Sequence, residues 1–200
     1  MRVVGPARER GGVLRFDGPR VAASSARVPL SVLALDLETD DLDGPLLSAA
    51  IATSADAQVF VRGSRPPAWG DGEHPHVAFA SDERALLSQL FAAIVALDPD
   101  VICGWNVVEF HPARLRVPLA IGRGGERARV LHGASPGMPA TARVPGRVVL
   151  DGITTLRSAT YGFERYTLEH VARELLGRGK AIAPTGDPVA EIRRMHAEAV

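Results

Sequence analysis

The stretch from Val28 to Asp40, V-P-L-S-V-L-A-L-D-L-E-T-D, constrains this chain more than any other. Val32 to Leu35 is apolar on both faces, which predicts a strand in the middle of a sheet covered on each side. Side chains alternate along a strand, so Asp36 and Glu38 point the same way at its carboxyl end. Two neighbouring carboxylates either take up a proton or share a cation. Their hard oxygens favour magnesium or manganese, which points to a metal-dependent phosphodiester site. The competing reading is a solvated acidic strand end entering a turn, because Thr39, Asp40, Asp41, Asp43 and Gly44 are turn or cap formers.

The chain has 200 residues, 46% of them hydrophobic, enough for one domain with a sizeable core or one domain with tails. With 23 basic against 23 acidic residues, no global field draws in nucleic acid, and any such contact must be local. Lys180 is the sole lysine; arginine supplies the remaining positive charge. The single Cys103 excludes an internal disulfide, suits a reducing compartment and is expected in the core. No segment is long enough to span a membrane, and the start lacks the apolar core of a signal peptide, so a cytoplasmic location is expected by default.

Residues 1–27 carry Arg2, Arg8, Arg10, Arg15, Arg20 and Arg27 against Glu9 and Asp17, six minus two, a net of plus four. With Gly, Pro and Ser scattered through it, this stretch reads as a loosely ordered arm or the remnant of a preceding domain. Beyond the acidic strand end, Leu47 to Thr53 and Gln58 to Val61 are predicted strands around a tight turn, giving an antiparallel meander. Arg62 to Ala80 reads as a loop, with His74 and His76 exposed to solvent. Ser81 is the expected N-cap of a helix with Asp82 and Glu83 in its first turn. Leu86, Leu90, Ile94 and Leu97 form its apolar stripe, and Asp98-Pro99 ends it.

Val101 to Trp105 is then a short buried strand, and strand, helix and strand make a crossover with parallel pairing. Ile121 to Arg147 reads as loop and holds no phosphate-binding glycine pattern. Val148 to Leu150 is a further strand. Asp151 can ligate or cap, capping of a short helix from Gly152 to Ser158 being favoured. Thr167 caps a last helix expected to bury Leu168, Val171, Leu175 and Leu176 and to end at Gly177.

Four blocks carry a resemblance. D-P-D-V-I-C-G-W-N-V-V-E-F-H (98–111) resembles the second exonuclease motif of the family B DNA polymerases, and D-L-E-T (36–39) resembles their first. G-R-V-V-L-D-G-I (146–153), continuing to Ala159, and Y-T-L-E-H-V-A-R-E-L-L-G-R-G-K (166–180) resemble the segment before their third. The resemblance covers roughly residues 28–195, leaving 196–200 as a tail, and implies an α/β, ribonuclease-H-like mixed sheet with flanking helices. It implies 3'-to-5' hydrolysis of single-stranded DNA with two divalent metals, Mg2+ or Mn2+. Asp36 would bridge the metals, Glu38 would hold the first metal and the water, and Thr39, Asn106 and Phe110 would contact the DNA 3' end.

The chain departs from that pattern at two places. His111 stands where the family has its third carboxylate. The fourth lies in a Y-x-x-x-D motif, but the residues four after Tyr161 and Tyr166 are Arg165 and His170. The domain is thus expected to be incomplete at its C-terminus, lacking a helix that would cover one sheet face, with a polymerase portion on a longer or separate chain. Three readings stand open: an exonuclease domain weak or inactive by itself, a non-catalytic remnant that at most binds DNA ends through Asn106, Phe110 and nearby arginines, or a fragment of a longer polymerase chain. Trp105 and Phe110 serve either as stacking groups or as core.

Overall fold

The computed structural model describes residues 2–11, 13–40, 44–67, 69, 70, 72, 74–108, 120–133 and 138–179. The chain divides into two compact units, Met1–Leu30 and Ser31–Val200. In the first, β1 (Arg2–Val4) pairs antiparallel with β4 (Arg20–Ala22), and β2 (Ala7–Arg10) with β3 (Val13–Phe16). Short paired strands thus run through residues 2–22 of the stretch expected as a loosely ordered arm or the remnant of a preceding domain. They pair where Gly11 and Asp17-Gly18-Pro19 supply the turns. Most of the side chains are exposed, and residues 23–30 are irregular.

The second unit holds a six-stranded mixed sheet. Its strands are β5 (Val32–Thr39), β6 (Leu46–Ala52), β7 (Ala57–Arg62), β8 (Val77–Ala80), β9 (Val101–Gly104) and β12 (Val148–Asp151). The order across the sheet is β12-β9-β5-β6-β7-β8. β5, β6 and β7 form the antiparallel meander, while β9 lies parallel to both β5 and β12. The meander's second turn is built by Thr53, whose hydroxyl accepts from the N–H groups of Ala55 and Asp56. β8 is a correction: it runs parallel to β7 inside the stretch expected as loop, where Gly, Pro and His hide a four-residue strand. Likewise β10 (Arg129–Leu131) and β11 (Thr141–Arg143) pair within the expected 121–147 loop.

α1 (Glu83–Leu97) crosses one face of the sheet, burying Leu86, Leu87, Leu90 and Ile94 against Leu33, Leu37, Ala49, Ile51, Phe60 and Ile102. Its N-cap is Asp82 rather than Ser81; Asp82 accepts from the N–H of Ala85 at 2.8 Å. Asp98, in the left-handed region, closes the helix. The opposite face corrects the expectation of a strand covered on both sides. Alternation puts Val32, Ala34 and Asp36 together there, and all three are exposed.

α2 (Gly152–Ser158) follows β12, and α3 (Leu168–Leu176) is capped by Thr167 and closed by Gly177 as expected. Of its expected core positions only Val171 is buried. Leu168 is half-buried, and Leu175 and Leu176 are 45% and 66% exposed. Cys103, expected in the core, is also only half-buried. His76 is exposed as expected, whereas His74 is half-buried with its ring centroid 4.0 Å from that of Trp69. Among the described residues no helix is long and apolar enough to cross a membrane.

Candidate functional site at the carboxyl ends of the parallel strands

β5, β9 and β12 are parallel and end on the same side, where open α/β sheets form ligand crevices. Asp36 and Glu38 occupy one face of β5, opposite Ala50 and Ser48 of β6. Asp36 is exposed and Glu38 half-buried. The register slips between Glu38 and Thr39, because Ser48 faces Glu38 while Leu46 faces Thr39. The irregularity leaves Leu46 and Leu47 both buried, at 3% and 4% exposure, and turns the strand end locally. Thr39 sits half-buried at that slip.

β9 approaches β5 closely because it ends in glycine. A Cβ on Gly104 would lie 2.2 Å from the Leu35 carbonyl oxygen. Trp105 follows, its ring against Gly152 and its indole N–H donating to the Tyr166 carbonyl at 3.2 Å. Trp105 and Asp36 line one groove of about 530 Å3, with Ala34, Ala50, Leu156 and Leu168 among its other walls. Asn106 has a φ of 56°, a left-handed conformation uncommon for a non-glycine residue, and directs the chain into the buried pair Val107 and Val108. Phe110 and His111 lie outside the described residues.

Asp151 performs the capping job. Its carboxylate accepts from the N–H groups of Ile153 and Thr154 at 3.0 and 3.1 Å, and of Val108 at 3.3 Å. Those bonds join the end of β12 to the turn after β9. Of the candidate site residues singled out in the sequence, Asp36 and Trp105 line the groove, whereas Glu38, Thr39 and Asn106 are not among its walls. Sequence reasoning missed Gly152, Leu156 and the Tyr166 carbonyl, whose roles arise from contacts distant in sequence.

A second polar cluster lies at the other end of the parallel strands. Arg147, only 2% exposed in its side chain, donates to Asp98 Oδ1 at 2.8 Å and to the carbonyls of Pro99 and Ile121. Arg123 bridges Asp98 and Asp100, each at 2.9 Å. The hydrogen bond from Arg123 holds Asp98 below the usual carboxylate range. Asp100 is lowered to about 2, first by the backbone N–H of Ser31 and then by Arg123. This cluster fastens the 121–147 excursion to the starts of β5 and β9. The sequence signal available for it was D-P-D after a helix.

Magnesium accepts one or two carboxylates while keeping several waters and a substrate phosphate. Asp36 and Glu38 fit one such ion in donor type. Among the described residues no three of His, Cys, Asp or Glu gather closely enough to hold a metal.

The sheet order, the crossover and the carboxylate-bearing strand define an α/β domain of ribonuclease-H-like type. The same fold occurs in the family B DNA polymerase from Pyrobaculum calidifontis, with a TM-score of 0.65 over 98% of this chain and 26% of that one, at 21% identity. Over most of its length the chain is homologous to DNA polymerase II. It is 36% identical to the Escherichia coli protein over 182 residues, 86% of this chain and 23% of that protein. A DNA polymerase of Thermococcus kodakarensis is 27% identical over 164 residues, 76% of this chain and 9% of that protein. The chain therefore spans less than a quarter of the length of the Escherichia coli and Thermococcus kodakarensis proteins. No family model matches it.

Proposed function

We propose that the second unit is a polymerase-type 3'-to-5' exonuclease domain whose groove receives the 3' end of single-stranded DNA and whose hydrolytic activity is weak in this chain alone. The observation that carries the reading is the Asp36 and Glu38 pair on one face of β5, at the carboxyl end of the strand and in the segment homologous to a DNA polymerase. These two side chains would hold one Mg2+ or Mn2+. A divalent ion there would neutralise phosphate charge and acidify a bound water. Thr39 and Asn106, at the ends of β5 and β9, would position the terminal nucleotide, with Phe110 from the segment after Asn106.

Weakness follows from charge. The resemblance implies four carboxylates, and this chain offers Asp36 and Glu38, with His111 in the third position. Neutral imidazole adds no negative charge and prefers softer metals than magnesium. A second reading, a non-catalytic segment that binds DNA ends, is favoured by His111 standing where the resemblance implies a third carboxylate. A polymerase portion on a longer or separate chain is the implied partner in either reading.

The test is magnesium-dependent shortening of a 5'-labelled single-stranded oligonucleotide. Slow shortening that Asp36→Ala abolishes is expected. No shortening at any magnesium or manganese concentration supports the non-catalytic reading. Robust degradation, lost in Asp36→Ala, would show that His111 does not disable the site.

A further inference from the structure

Beside the groove lies an aromatic cluster that neither the sheet nor the proposed hydrolysis requires. Tyr161 and Phe163 have ring planes within 4° of parallel and centroids 6.0 Å apart. Phe163 meets Tyr166 edge-on at 5.5 Å. The Arg157 guanidinium lies over the Tyr166 ring, 4.5 Å from its centroid. Tyr161 is 50% exposed, which is unusual for a ring that would gain by burial.

The backbone beneath the rings is braced. The Tyr161 N–H donates to the Leu156 carbonyl at 3.1 Å, and the Tyr166 hydroxyl donates to the Tyr161 carbonyl. Thr160, with a φ of 64°, makes the bend that presents the Tyr161 ring. Through the indole N–H of Trp105, the Tyr166 carbonyl ties this loop to the wall of the groove that contains Asp36. Among the described residues no carboxylate pairs with Arg157, so its charge remains open to an anion.

We propose that Arg157, Tyr161, Phe163 and Tyr166 form a stacking platform for the unpaired bases of single-stranded DNA next to the groove. The outer face of Tyr161 takes a base, the parallel Phe163 ring stiffens that face, and Arg157 attracts the adjoining phosphate. Flat π-faces tolerate any base, so the platform grips without reading sequence. A duplex presents no free base face and gains nothing from it. The proposal rests on the reading of the groove as a nucleic-acid site.

The experiment uses the whole chain with EDTA present, so that binding is read without cleavage. The probes are a labelled thymidine oligonucleotide and its abasic counterpart, which keeps the phosphates and lacks the bases. Wild-type protein is expected to bind the thymidine strand about tenfold more tightly than the abasic one. Tyr161→Ala removes that difference, and Tyr161→Phe retains it. Equal affinity of wild-type protein for the two strands overturns the platform, as does an unchanged preference in a Tyr161→Ala protein that melts like wild type. Should Tyr161→Ala not fold, the wild-type comparison decides alone. Base-dependent binding without any cleavage in magnesium leaves the platform standing and removes the hydrolytic reading; base-independent binding with cleavage does the reverse.

Discussion

Gly104 permits the close approach of β9 to β5. Besides the Leu35 carbonyl, an added Cβ would meet Val107 Cγ1 at 2.4 Å, and neither atom belongs to a long flexible side chain that could swing clear. Gly104→Ala is expected to destabilise the fold by about 1–3 kcal/mol, read from urea unfolding. Unchanged stability would mean that β9 can shift away from β5 at little cost. Acid provides a second test at single residues. Asp98 and Asp100 are both depressed when folded, so they contribute stability above the ordinary carboxylate range near pH 4, and that contribution is lost as pH falls toward about 2. Stability measured by unfolding at descending pH is expected to fall over this window, and Asp100→Asn to flatten the slope. An identical slope in Asp100→Asn would assign the acid limb to other groups.

At the level of elements, α1 and α3 have similar apolar spacing in sequence and different fates. Leu90 in α1 is 1% exposed, while Leu176 in α3 is 66% exposed. Leu90→Ala is expected to cost about 2–5 kcal/mol, and Leu176→Ser no more than about 0.5 kcal/mol. A large loss for Leu176→Ser, measured by thermal melting, would show that the end of α3 is covered in solution. Periodicity thus located both helices but could not say how much of each is covered, because coverage depends on neighbours distant in sequence. The same limit explains β8, β10 and β11, short strands amid turn-forming residues whose pairing is wholly tertiary. Ser81 and Asp82 are both competent caps, and only the backbone conformation chooses between them. The period of two correctly put Asp36 and Glu38 on one face, yet the Gly152 and Tyr166 contacts that hold Trp105 had no local signature.

In the second unit as a whole, the meander pairs neighbours in sequence, whereas β9 and β12 pair across the long excursion from Trp105 to Arg147. Closing such a loop loses chain entropy before any ladder hydrogen bond is gained. Loop length therefore predicts an order in time: β5, β6 and β7 are expected to associate first and β12 late, fastened by Arg147 onto Asp98 and Pro99. Arg147→Met removes a clasp that forms after the rate-limiting barrier, so it is expected to speed unfolding and leave the folding rate nearly unchanged. A slowed folding limb in stopped-flow measurements would reverse that order. Leu150 of β12 and Leu156 of α2 follow the clasp in sequence, so the groove's far wall is expected to set last. A chain caught just before that moment has its carboxylates in place on β5 and no enclosure around them.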